Sequence, residues 1–306
     1  MKVLVTGGAG FIGSHVVDSL IEDGHTVVVL DDLSTGRREH LNAQARFYEL
    51  DVRSPDLRDV FAEERPDLIN HHAAQVDVRR SVADPVFDAD VNVVGSLNLL
   101  ECAREYGAKK FIYASTGGAV YGEPAYLPCD ENHPLNPTCP YGISKQVVER
   151  YLDLYRQSHG LEYTILRYAN VYGPRQDPFG EAGVVAIFAR QMLDGQEVSI
   201  NGTGEQERDF VYVADIVRAN MMTIAEGGGQ IYNLGTGVGT SINGLFTLME
   251  DIAGYDRTPS HGPPKLGETF RIYLDAEKAH RELGWRPLVS LEEGLRETIG
   301  SFLNSR

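Results

Sequence analysis

Tyr141 and Lys145 stand four residues apart in PYGISK, inside a stretch whose apolar spacing predicts a helix over residues 141–158. Four residues is close to one helical turn, so the two side chains share a face. An ammonium beside a phenol favours the phenolate and pulls its pKa down from about 10. A phenol tuned in that way is a general base for an alcohol. Upstream, a predicted strand ends in two hydroxyl residues, Ser115 and Thr116, and Gly117 and Gly118 follow them. Glycine transfers no proton, so the acid–base chemistry at this spot rests on the phenol and the hydroxyls.

A Tyr-x-x-x-Lys pair is common on helices, and its meaning depends on what stands around it. TGGAGFIG at residues 6–13 places Gly7, Gly10 and Gly13 directly after the apolar run KVLV, with Phe11, Ile12 and Gly13 opening a predicted helix. In a strand–turn–helix one glycine permits the tight turn, one the approach to a pyrophosphate, and one the close packing of the helix. The helix start then offers free N–H groups to the phosphates. Asp31 closes the second predicted strand, where a carboxylate accepts hydrogen bonds from an adenosine ribose and repels a 2′-phosphate. Asp32 adds to that repulsion, so the expected cofactor is NAD, with the turn Leu33-Ser34-Thr35-Gly36 beside its ribose. Arg37 and Arg38 lie farther on and read as a solvated face. Asp51 and Val52 end the third strand near the adenine, although Asp51 also suits a helix N-cap. His72-Ala73-Ala74-Gln75 ends the fourth, its small residues suited to close backbone approach. Adjacent His71 and His72 point to opposite faces of a strand and do not chelate one metal.

The elements that must position these groups alternate. Apolar runs at 2–6, 25–30, 46–50, 67–70, 109–115 and 163–170 are separated by helical patterns at 11–23, 55–64, 84–106 and 141–158. That alternation predicts an α/β fold, a Rossmann-like doubly wound parallel sheet covered on both faces. After about residue 171 the chain becomes rich in glycine- and proline-bearing loops, with helices near 182–194, 213–226, 241–254, 276–283 and 290–303. We expect an NAD-binding domain over residues 1–170 and a smaller mixed α/β substrate-binding domain over 171–306. RDFVYVADI within 208–226 is placed to return a strand and helix to the first domain. With 306 residues and a net charge of −16, the surface disfavours nucleic acid and anionic lipid. The three cysteines show no ligand spacing, no signal peptide or membrane span is legible, and the expected location is cytoplasmic.

TGGAGFIG, Asp31, HHAAQ, STGGAVYG, YGISK, LRYANVYGPRQ and RDFVYVADI occur in one order along nearly the whole chain. In these the sequence resembles the extended short-chain dehydrogenase/reductases, in their nucleotide-sugar branch, and most of all the UDP-sugar 4-epimerases. Dehydratases of that family carry Asp-Glu after the catalytic threonine, and its decarboxylases keep a glutamate there. Gly117 and Gly118 leave only removal and return of a hydride, which is epimerisation, and the resemblance implies UDP-glucose and UDP-galactose as its substrates and galactose metabolism as its setting.

The resemblance implies roles for single residues. Tyr141 takes the proton of the sugar 4-hydroxyl, Lys145 bonds the nicotinamide ribose, and Thr116, or else Ser115, bonds the reacting oxygen. The family's serine aligns instead with Gly117. Asn92 and Tyr168 fall among the cofactor contacts. Asn170 and Arg208 would hold the diphosphate, the backbone at Val184 would assist, and Ile200-Asn201 would lie along the uridine. A salt bridge of Arg208 with Asp209 or Glu205 is the structural alternative. Lys265 to Glu268 stand where the family has Arg-Pro-Gly-Asp, and Ile272 falls at the gate of the sugar pocket. The family pairs through helices matching 84–106 and 141–158, so a homodimer is expected. Two other readings are UDP-N-acetylglucosamine or UDP-glucuronate as the sugar, and a non-catalytic NAD-binding scaffold or redox-sensing regulator.

Overall fold

The apolar runs become strands β1 (Lys2–Thr6), β2 (Thr26–Asp31), β3 (Arg46–Glu49), β4 (Leu68–His71), β5 (Lys110–Thr116) and β6 (Glu162–Tyr168). The computed structural model describes residues 1–179, 183–264 and 269–304. A further strand, Gln230–Leu234, pairs with β6 and completes a parallel seven-stranded sheet. Its order is Gln230–Leu234, β6, β5, β4, β1, β2, β3. The order reverses between β1 and β4, and ligands of such sheets bind beyond the strand ends at that switch.

Alternation along the strands builds two cores. Val3, Val5, Val27, Val29, Ile112 and Leu166 face one side, against α1 (Phe11–Glu22) and the helix Val213–Met222. Leu4, Val28, Leu30, Ile69, Phe111 and Ile165 face the other, under the helices Leu57–Glu64, Gly95–Tyr106 and Pro140–His159. Each such side chain contributes about 1.5–3 kcal/mol on full burial. The first core runs on without a break into Phe188, Leu245, Trp285 and Ile299. The chain after residue 171 therefore packs on the same core as the sheet.

One expectation needs correction here. Phe210–Tyr212 does not join the main sheet; it pairs in parallel with Asn170–Tyr172 in a sheet of its own. The helix after it does return, onto α1. The strand that returns is Gln230–Leu234, because it takes the edge that β6 leaves open.

The predicted helix 84–106 is Pro85–Ala89 followed by Gly95–Tyr106, with Asp90–Val94 between them wound as a π-helix. Such wide turns are frequent at functional sites. Among the described residues no helix is long and apolar enough to cross a membrane.

A buried ion pair ties β6 to the helix Pro140–His159. Arg167, on β6 and 2% exposed, donates to both oxygens of Glu149 at 3.0 and 2.5 Å. Its remaining arm reaches the Tyr121 hydroxyl at 2.9 Å, and Tyr121 donates to Asn233 at 2.7 Å. Removing one partner of such a pair strands a charge. We expect Arg167→Met to lower unfolding free energy by about 3–5 kcal/mol in urea titration.

Candidate active site

The dinucleotide loop is shaped as its glycines require. Gly7 has φ of +68°, and a Cβ there would lie 2.7 Å from the amide nitrogen of Ala73. At Gly13 a Cβ would overlap the carbonyl oxygen of Gly7. The Ala73-Ala74 segment after β4 is thus pressed against the first turn, its amide held by Thr6 Oγ1 at 3.2 Å. α1 starts at Phe11 with no side chain capping it and no acid in its first turn, so Phe11, Ile12 and Gly13 present an open positive helix end.

Asp31 lies at the C-terminal end of β2, buried, accepting from Ala9 N at 3.0 Å and Leu33 N at 2.9 Å. Burial raises its carboxyl pKa, and the two amides oppose the rise. Asp32 is exposed and caps Ser34, shaping the turn that runs on through Thr35 to Gly36. Arg37 pairs with Asp177 and Arg38 with Glu49, so both are engaged on the surface. Asp51 is not a helix N-cap, a place taken by Asp56; it grips Arg53, which lowers its pKa. Val52 is buried in the core against Gly95. These residues fit a pyrophosphate and a free ribose diol, and Asp31 would hold the diol.

The catalytic candidates meet at the end of β5. Pro140 opens the 20-residue helix, so Tyr141 and Lys145 ride its positive end. At Gly142 a Cβ would lie 2.6 Å from the carbonyl oxygen of Ala119. Only a bare position lets this helix press on the Gly117–Val120 turn. Lys145 is 3% exposed and donates to the Ala114 carbonyl at 3.0 Å. Its Nζ stands 4.9 Å from the centre of the Tyr113 ring and 5.9 Å from that of Tyr141. Burial pulls its pKa from 10.5 to about 8, against the pull of Asp88 and Glu149.

The structure corrects several side-chain roles. Burial pushes the Tyr141 phenol above its usual 10, with Cys139 and Asp88 adding to the rise. The expected lowering by Lys145 is outweighed, because the ammonium is turned onto Ala114 and Tyr113. Ser115 is buried and donates to Glu149 at 2.6 Å, so its hydroxyl is spent inside the fold. A serine at Gly117 would require Leu274 to shift, because a Cβ there would meet the end of that side chain. Thr116 remains, on the cleft side. A Cβ on Gly118 would lie 3.7 Å from Thr116 Oγ1 and 4.0 Å from Asn170 Oδ1, so all three look into one space.

Gln75 and Asn92 do not turn their amides to a cofactor. Gln75 Nε2 donates to Asp88 Oδ1 at 2.9 Å, and Asn92 Nδ2 to the same oxygen at 3.0 Å and to Gln75 O at 2.9 Å. His72 stacks on Tyr168 with ring centres 6.3 Å apart, while His71 on the other face bonds Thr6 and Ser96. The Tyr168 hydroxyl accepts from Asn220 at 2.9 Å. Among the described residues no group of three or more His, Cys, Asp or Glu side chains could hold a metal ion.

On the opposite wall, Arg208 is nearly buried and donates to the carbonyl oxygen of Glu207 at 2.8 Å. Asp209 turns away to Thr236, Gly237 and Leu274, and Glu205 accepts from Asn243, so both acids have other partners. Ile272 pairs with Arg208 across two short strands and is buried at 3% exposure. Val184 begins an uncapped helix. Ile200 is in the core, which leaves its neighbours Ser199 and Asn201 at the surface of that strand. Lys265 and Glu268 lie outside the described residues.

A family model described as NAD dependent epimerase/dehydratase family matches residues 3–235. The chain belongs to this family. It is 47% identical to a UDP-glucose 4-epimerase of Mycolicibacterium smegmatis over 310 residues, covering 99% of both chains. A crystal structure of a UDP-glucose 4-epimerase from Thermotoga maritima with UDP-glucose superposes with TM-score 0.99 at 52% identity, covering 100% of this chain and 99% of that one. One from Thermus thermophilus in complex with NAD gives 0.96 at 44%, covering 100% of both.

Sequence reasoning missed Asp88, Glu149, Arg167 and Leu274. Arg167 had a signal, a cation inside the apolar run YTILRYAN; the others had none short of the fold.

The lowered pKa of Lys145 has a consequence for stability. Between about pH 8 and 10.5 the unfolded chain holds its proton and the native one does not, so rising pH favours the native state across that window. We expect the stability of the wild type relative to Lys145→Met to climb through it, measured by urea unfolding at several pH values.

Proposed function

We propose that this protein is an NAD-dependent 4-epimerase that interconverts UDP-glucose and UDP-galactose through a 4-keto sugar. The observation that carries the reading is the bare position at Gly118, which faces Thr116 and Asn170 where an eliminating enzyme of the family has an acid. The relatives' activities and the NAD and UDP-glucose of the neighbouring structures support it.

When bound, NAD supplies the acceptor and donor of hydride at the sugar C4 and a positive charge beside the phenol. Tyr141 takes the proton of the 4-hydroxyl and later gives it back. Thr116 hydrogen-bonds the same oxygen and holds it in place as it becomes a ketone. Lys145 bonds the nicotinamide ribose and keeps a positive charge near the phenolate. Asn170, Arg208 and the helix start at Val184 grip the diphosphate, so the hexose alone is free to turn and present its other face. Ile272 pairs with Arg208 in register, which would put it beside the diphosphate grip. The reaction regenerates its cofactor, so retention through turnover follows.

We also propose a cytoplasmic homodimer. Val86, Val94 and Leu154 expose 78%, 51% and 51% of their surface on the helices of the expected interface. A two-fold contact through them would be self-complementary. Leu97 packs against the core and is a poor probe. Leu154→Glu should lower both association and turnover in sedimentation and rate assays; an active wild-type monomer at micromolar concentration would refute the dimer.

Purified protein should release NAD or NADH on denaturation and convert UDP-galactose without added cofactor. Tyr141→Phe should keep that nucleotide but lose about 10²–10⁴-fold in kcat. A wild type inert toward both UDP-hexoses, or a Tyr141→Phe variant of near-normal rate, would overturn the reading.

A further inference from the structure

Asp88 is fully buried at the last turn before the π-helical segment Asp90–Val94, and nothing in the reaction so far uses it. Its Oδ1 accepts from Gln75 Nε2 at 2.9 Å and Asn92 Nδ2 at 3.0 Å, and its Oδ2 accepts from Ser144 Oγ at 2.7 Å. These three donors come from the loop after β4, from the π-turn and from the catalytic helix. All three are neutral. None of these bonds carries a positive charge that would offset the field of the carboxylate. Ser144 precedes Lys145 in the chain, so its bond to Asp88 anchors that carboxylate to the turn of the helix that carries the ammonium. The other acid near Lys145, Glu149, is already neutralised by Arg167.

We infer that Asp88 is a positioning residue for the epimerase chemistry, holding Lys145 as an ammonium and pinning the catalytic helix through Ser144. The inference rests on the proposed reaction for its rate effects, but its effect on Lys145 does not. The groups facing Lys145 are Tyr141 and Glu149 on its own helix, Asp88, Tyr113 on β5, His71 at the end of β4 and His72 just after it. Burial drives Lys145 toward the neutral amine, and Asp88 is the largest charge opposing that drive. It also disfavours the Tyr141 phenolate. The ammonium is therefore kept at the expense of a less acidic phenol.

Asp88→Asn removes the charge and leaves a side chain of the same shape, able to accept from Gln75 and Asn92 and to donate to Ser144. Ser144→Ala removes one hydrogen bond and leaves the charge. For Asp88→Asn we expect the alkaline limb of the kcat–pH profile to move about one pH unit lower, with kcat near pH 7 within about threefold of wild type. Ser144→Ala should leave the limb in place. The readout independent of turnover is unfolding free energy against pH. The rise that Lys145 produces should begin about one pH unit lower in Asp88→Asn than in the wild type. An unshifted rise in Asp88→Asn, or an equal shift in Ser144→Ala, overturns the role of Asp88. Absence of UDP-hexose turnover in the wild type alone overturns the proposed reaction and leaves the unfolding test to decide the inference.

Discussion

The site depends on keeping one ammonium charged where there is no water. Lys145 has a single strong acceptor, the Ala114 carbonyl, and the face of the Tyr113 ring. Taking an ion from water costs several kcal/mol after relaxation, and one hydrogen bond to a charged group returns about 1.5–3. The remainder has to come from nearby carboxylates, and Asp88 and Glu149 are the two that oppose the drop in its pKa. Each is itself buried, so each needs its own partners. Glu149 finds Arg167 and Ser115; Asp88 finds Gln75, Asn92 and Ser144. The polar side chains behind the cleft follow from that chain of demands. The fate of Ser115, Gln75 and Asn92, spent on carboxylates rather than on ligands, is part of it.

The same demand explains the backbone. A carboxylate at residue 88 must reach Gln75, Asn92 and Ser144 together, and Asn92 lies inside the π-helical turn. Its side chain donates to Asp88 while its Oδ1 accepts from the Gln75 amide at 2.9 Å. The loop after β4 is thereby held from behind, as Gly7 holds it from in front. That loop lies between the dinucleotide turn and the catalytic helix, so one network sets the spacing between cofactor and base.

Much of this fold is legible in the chain because strand and helix periods differ. β1, β2, β5 and the helices at 11–23 and 141–158 lie within a residue or two of where spacing predicts them. Gln230–Leu234 was illegible for a different reason. It is a five-residue run before a glycine loop, and only the open edge of β6 makes it a strand. Within the site, the residues proposed to meet a ligand belong to short motifs that stand out in the chain: the glycines, Asp31, Tyr141 and Lys145. Residues that act on those residues could not. Asp88 sits in DPVFDAD, which reads as a solvated acidic helix face, and only the packing of the catalytic helix seals it.

Leu274 shows how a distant residue decides chemistry at a motif. Its side chain fills the space a substituent at residue 117 would need, and its amide is fixed by Asp209 at 3.1 Å. Asp209 also holds Thr236 and Gly237, so two segments of the later chain are clamped by one carboxylate. Glycine at 117 is the complement of that clamp. The hydroxyl proposed for the reaction comes from the neighbouring residue, and Thr116 lies with Asn170 around the bare Gly118. Replacing a serine by a threonine one residue earlier keeps the donor but adds a methyl, which restricts χ1. A hydroxyl fixed in that way serves a reaction in which one oxygen must be held while the sugar ring behind it turns.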